Sequence, residues 1–226
     1  MKLKKIASLM LAGIMAVSML AGCKSGTTTD DEKNPVVPVA TNAVKYAEDV
    51  LDADVKDLVD VVASTELDGW VHDIATDSSK LTANGISYAH KNNFQMSYNT
   101  NSNDDKMTNA LLKKLQEKGV VVSGTTFNSV PNGTFSQSYG WMSAVSGQLD
   151  EKAAVEAAVS YVGSWIAQYG NASDKVTATD GTIYNCDYTL EVSTLKVSND
   201  SLTNESAWTV AIVLTQNLTK AANVEA

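Results

Sequence analysis

Two histidines, His72 and His90, are the chain's only imidazoles and its first candidates for acid–base or metal chemistry. His72 lies in Trp70-Val71-His72-Asp73, so a carboxylate follows it directly. A hydrolase acting on cell wall would use one of these rings together with an acid such as Asp73. Neither histidine belongs to HExxH or another zinc-ligand spacing, so the sequence predicts no metal site. His90 ends an alternating stretch that it shares with Tyr88, where a structural histidine is the simpler expectation. Cys186 faces the apolar side of another alternating stretch, with no histidine near it in sequence, and reads as a small buried hydrophobe.

Three further patterns bear on chemistry. Ser193-Thr194-Leu195-Lys196 matches SxxK, a serine–lysine pair that needs its serine at the start of a helix, so that the lysine returns to the hydroxyl one turn later. Here the four residues sit on an alternating segment, where positions three apart point to opposite faces, and no KTG accompanies them. Asn99, Asn101 and Asn103, followed by Asp104 and Asp105, have the alternating oxygens of a calcium loop. An EF-hand needs glycine at its sixth place and glutamate at its twelfth; counted from Asn99, those places hold Asp104 and Ala110. Aromatics form the third pattern. Trp70 sits in a turn-like stretch, and Phe135, Tyr139 and Trp141 share one face of a Ser/Gly/Gln-rich strand. Exposed, such rings would stack on sugars or dock a peptide, so these four are the candidate binding aromatics. GxSxG, Walker and GxGxxG motifs are absent, and no cofactor is expected.

The N-terminus carries chemistry of another kind. Met1–Lys5 holds three lysines, the 15 residues Ile6–Leu20 are almost wholly apolar, and Leu20-Ala21-Gly22-Cys23 follows. The apolar run is short for a membrane span and has the flanks of a cleaved signal. This order of charge, apolar stretch, small residues and cysteine resembles the lipobox of bacterial lipoproteins. The resemblance covers residues 1–23 alone, and the rest of the chain carries no family motif. It implies that residues 1–22 are removed, that the Cys23 sulfur takes a diacylglyceryl group, and that Cys23 becomes the N-terminus. Two acyl chains anchor stably where one holds only marginally. The expected location is the extracytoplasmic face of the bacterial cell membrane, with the bilayer as a partner through the anchor.

Charge excludes several classes of partner. The chain has 17 basic residues, all lysine, against 26 acidic ones, a net of −9. Removing residues 1–22 takes three lysines and no acid, which moves the net charge to −12. Such a balance argues against nucleic acid or anionic headgroups held on a basic face. Without arginine, the bidentate clamp for phosphate and carboxylate is missing, although lysine still binds either as a point charge. If Cys23 is lipidated, Cys186 is left alone and no intramolecular disulfide can form.

The elements that must position these residues follow from composition and period. Residues 24–42 are small, polar and interrupted by Pro35 and Pro38, which is linker composition, so the expected plan is signal 1–22, lipidated cysteine and linker 23–42, and domain 43–226. That domain is read as one α+β unit or two small lobes. Helical stripes predict helices over 43–63, 104–118 and 150–169, the last two stopped by Gly119 and Gly170. Alternation predicts a hairpin over Ile86–His90 and Phe94–Tyr98, and a second over Val120–Phe127 and Phe135–Trp141 about Pro131-Asn132-Gly133. Tyr184–Val192 and Trp208–Leu214 predict a third pair, with a phase switch at Leu195 and Val197 that suggests a bulge. The expected fold is α+β, with antiparallel hairpins forming a sheet packed on one side by about three helices.

The function these readings favour is a non-enzymatic, lipid-anchored module that binds a protein or a glycan at the cell envelope. A cell-wall hydrolase using His72 or His90 is the alternative, and a solute-binding lipoprotein of a transporter the third.

Overall fold

Capping residues and buried stripes set the helices along the chain. The computed structural model describes residues 42–92, 102–122, 129–130, 136–168, 174–198 and 204–221. The expected signal, Cys23 and the expected linker up to residue 41, the strand expected at Phe94–Tyr98, most of the asparagine-rich loop and Phe135 lie outside them. Helices α1 (Ala43–Val50) and α2 (Ala53–Lys56) lead into strand β1 (Val59–Val62). A single helix over 43–63 is therefore corrected. Leu51 and Asp52 are extended (ψ 137° and 154°), and the β-branched run Val59-Asp60-Val61-Val62 pairs in parallel with a later strand. Of the helical stripe Ala47, Leu51, Val55, Leu58 and Val62, the first three are buried, Leu58 is half-buried and Val62, beyond the helices, is exposed.

Helix α3 (Thr65–Thr76) begins at Ser64, whose hydroxyl accepts from the Leu67 N–H at 3.2 Å, and Glu66 and Asp68 lie at the positive end of its dipole. Leu67, Val71, Ile74 and Ala75 are its buried stripe, so Trp70 and His72 sit on a helix where a turn was expected. Helix α4 (Ala83–Lys91) replaces the strand expected at Ile86–His90. Thr82 caps the Gly85 N–H at 3.1 Å, and the buried pair is Ile86 and Ala89, three apart, while Tyr88 points outward at 57% exposure. Helix α5 (Ser102–Glu117) and helix α6 (Glu151–Gln168) fall where their stripes placed them.

Short strand β2 (Ser129–Val130) precedes β3 (Ser136–Ser146), and α6 is followed by β4 (Lys175–Ala178), β5 (Ile183–Ser198) and β6 (Ser206–Lys220). The sheet runs β2-β4-β5-β6-β3, with β1 also on β5. It is mixed: β1–β5 and β2–β4 are parallel, whereas β4–β5, β5–β6 and β3–β6 are antiparallel. The hairpin joining Val120–Phe127 to Phe135–Trp141 is corrected as well. Val122 meets Ser138 through a parallel bridge, and the antiparallel partner of β3 is β6.

Alternation along the strands assigns two cores, one on each face. Tyr184, Cys186, Tyr188, Leu190 and Val192 of β5, with Val210, Ile212 and Leu214 of β6 and Val145 of β3, pack with α1, α2 and α6 residues such as Ala47, Val55 and Val155. Ala207, Ala211 and Val213 of β6, with Met142 and Ala144 of β3, pack with Leu67, Ile86, Met107 and Leu111 of α3, α4 and α5. Helices thus cover both faces of this α+β fold, a correction to the one-sided packing expected. The phase switch has the same origin. The β5–β6 register runs without a slip from Tyr184↔Lys220 to Ser198↔Ser206, so no bulge is present. Leu195 and Val197 are apolar because the second core covers that face at this end of β5. The described residues all belong to one compact unit, Val37–Ala226.

Candidate functional site

Helix α3 presents the first expected pair, His72 and Asp73, on its outer surface. The His72 Nδ1 lies 3.9 Å from Asp73 Oδ1, too far for a hydrogen bond, and among the described residues its ring makes none. Asp73 turns instead to Lys114 of α5, at 3.6 Å. His90, in the last turn of α4, is tied elsewhere. Its Nδ1 is 3.2 Å from the Ser206 carbonyl oxygen and 3.3 Å from the Ser206 nitrogen, so it donates to one or accepts from the other according to its tautomer. The His90 carbonyl accepts from Ser146 Oγ (3.0 Å) and Gln148 Nε2 (2.8 Å). These bonds staple α4 to the turn after β3 and to the start of β6. His90 is tied to Ser206 while the His72 ring makes no hydrogen bond among the described residues, and the two converge on no common acid.

The serine–lysine pair separates across the sheet. Ser193 Oγ donates to Asp68 of α3 at 2.6 Å, while Lys196 reaches the other face and lies 5.3 Å from the ring centre of Trp208, its register partner. Thr194, between them in sequence, donates to Glu151 of α6 at 3.0 Å. The candidate aromatics divide the same way. Trp70 is half-buried against the second core, and Tyr139 and Trp141 are half-buried against the first, so these three do not share a patch. Among the described residues no group of three or more His, Cys, Asp or Glu side chains is placed to hold a metal.

Convergence of polar groups occurs at a place the sequence did not flag. A groove of about 600 Å³ runs between α3 and α5, lined by Lys80, Lys106, Lys113 and Lys114, by Asp73, Asp77 and Glu117, and by Asn109. Its size is that of a small-molecule site. The two helices run antiparallel along it, because Glu66 pairs with Lys118 at one end and Asp73 with Lys114 further along. Lys106, Asn109, Lys113 and Glu117 share one face of α5 at helical spacing, and from Lys106 to Glu117 they cover about 16 Å. Lys113 is paired with Glu117 at 3.8 Å, so the groove's own lysines without an ion-pair partner among the described residues are Lys80 and Lys106, at the opposite end from the Glu66–Lys118 pair. Asp77 is held ionised there. The Ser79 hydroxyl and N–H, the latter 2.8 Å from Oδ1, keep its carboxyl below the usual range, and the Lys80 charge adds a smaller pull.

Comparison with protein-family models, with curated proteins and with solved structures returned no match. Among the described residues, no helix is long and apolar enough to cross a membrane. The groove escaped sequence reasoning because only one wall was legible. The α5 spacing is legible in the sequence, but α3, the facing wall, shows locally only a turn-like stretch at Trp70.

Proposed function

We propose that this chain is a lipid-anchored, extracytoplasmic binding module of the bacterial cell envelope, and that its ligand face is the α3–α5 groove. The observation that carries the binding reading is the gathering of four lysines against three carboxylates, Asp73, Asp77 and Glu117, in one cleft of a chain whose net charge is −9. A protein with that balance repels anions over most of its surface, so a local reversal of sign marks a place for a ligand. The groove replaces the aromatic strand face as the binding surface. Tyr139 and Trp141 rest against the first core and have interactions of their own.

The anchor rests on Leu20-Ala21-Gly22-Cys23. Expression of the full chain in a bacterial host with labelled palmitate tests the anchor. Wild type is expected to carry label and sediment with membranes, and Cys23→Ala to do neither. Cys23→Ala protein that still sediments and takes up label would refute the anchoring.

A further inference from the structure

We infer that the α3–α5 groove takes a small anionic sugar, with its phosphate or carboxylate between Lys80 and Lys106 and its hydroxyls donating to Asp73 and Asp77; this rests on the groove being the ligand face. Charge order along the cleft carries the assignment. The end bearing Lys80 and Lys106 has two ammonium groups without ion-pair partners among the described residues, whereas Lys113, Lys114 and Lys118 are each engaged by a carboxylate. An anion reaching that end gains two charge-assisted contacts and breaks none of the ion pairs found among the described residues. Asp73 and Asp77 line the same cleft, and Asp77, kept ionised by Ser79, offers only acceptor oxygens. The matching ligand brings hydroxyl donors alongside its negative charge, and a sugar acid or sugar phosphate has both.

Size and net charge exclude larger anions. A polyanionic chain extending beyond a 600 Å³ cleft would meet a surface whose overall charge is −9, while a compact ligand feels chiefly the local lysines. Recognition by lysine alone, without an arginine fork, tolerates both the tetrahedral phosphate and the planar carboxylate. The choice between those two sources is left to the probes.

The test is an amide NMR titration of the soluble chain from residue 24 onward, with glucose 6-phosphate, glucuronate, glucose and inorganic phosphate as probes. Saturable shifts at Asn109, Ala110 and Lys80 are expected with glucose 6-phosphate or glucuronate, and the tighter of the two identifies the anionic group. Lys80→Ala and Lys106→Ala should each weaken that binding about tenfold, while Lys152→Ala on α6 leaves it unchanged. Inorganic phosphate binding as tightly as the sugar phosphate would refute the contacts to Asp73 and Asp77. Shifts at the groove with glucose alone would overturn the anionic assignment and leave the groove reading standing. A groove silent to all four probes would overturn both.

Discussion

At the scale of single residues, two positions are held by atoms that a small change would disturb. Gly147 opens the turn from β3 to α6 and donates to the Ser206 carbonyl at 3.0 Å. A Cβ added there would overlap the Ser206 backbone, which is paired in β6 and cannot retreat as a flexible side chain could. Gly147→Ala is expected to lower stability by about 3 kcal/mol, read as a fall in urea midpoint at constant slope. At Cys186 the change is of charge. Burial raises its thiol to a pKa of about 11 against the opposing hydrogen bond from Tyr188, and the neighbouring carboxylates Asp174 and Asp187 add smaller upward pushes. The folded thiol thus keeps its proton where the unfolded one, near 9, has lost it. Stability attributable to this group is complete below pH 9 and falls as pH rises from about 9 to 11, by on the order of 2 kcal/mol. The loss of stability across that window should be shallower in Cys186→Ala than in wild type, and a disulfide reagent at pH 8 should react with wild type only after urea is added.

At the scale of elements, helices and sheet are joined by buried polar contacts as well as by apolar packing. Strand β3 ends the sheet, and an exposed edge would recruit other strands. Helix α5 closes it: the Thr108 hydroxyl donates to the Met142 carbonyl at 3.0 Å and accepts from its N–H at 3.2 Å, and Val121 takes the Ser138 N–H. Gly140 lets the helix lie close, since a Cβ there would come within 2.9 Å of Leu115 Cδ1. Thr108→Val keeps the shape and removes both bonds, so it should cost about 2 kcal/mol and speed amide exchange at Met142. On β5, adjacent hydroxyls reach opposite layers, Ser193 to α3 and Thr194 to α6. A double-mutant cycle on Ser193→Ala and Asp68→Ala should return a coupling of at least about 1 kcal/mol; additive losses would show that the 2.6 Å contact contributes nothing beyond packing. The same scale explains the misread elements. Ile86, Tyr88 and His90 alternate in sequence, yet Thr82 caps the segment and Ala89, too small to stand out as apolar, completes the buried pair that makes it α4. The run Val59–Val62 continues a helical spacing but pairs with Tyr188–Glu191, and nothing local announces that partner.

At the scale of the whole molecule, a sheet with helices on both faces sorts the described residues into two packed layers. Residues far apart in sequence acquire or lose a relationship through that layering. The histidines, suggestive because Asp73 stands beside one of them, stay apart, His90 tied to Ser206 and the His72 ring without a hydrogen bond among the described residues, whereas Lys80 and Lys106, which form no motif, line one cleft. The lipobox-like pattern, the acidic balance without arginine, helices α5 and α6, the long β5–β6 pair and the α+β class are legible in the chain alone. Each is written in neighbouring residues or in a period sustained over several turns, and needs no distant partner to be read. That Leu195 and Val197 mark a second core, that β1 leaves its helix for the sheet, and that α3 and α5 enclose a groove emerge only on folding. Those outcomes depend on which surface each element finds to cover it, a long-range choice made by burial of apolar area and by pairing of buried polar groups.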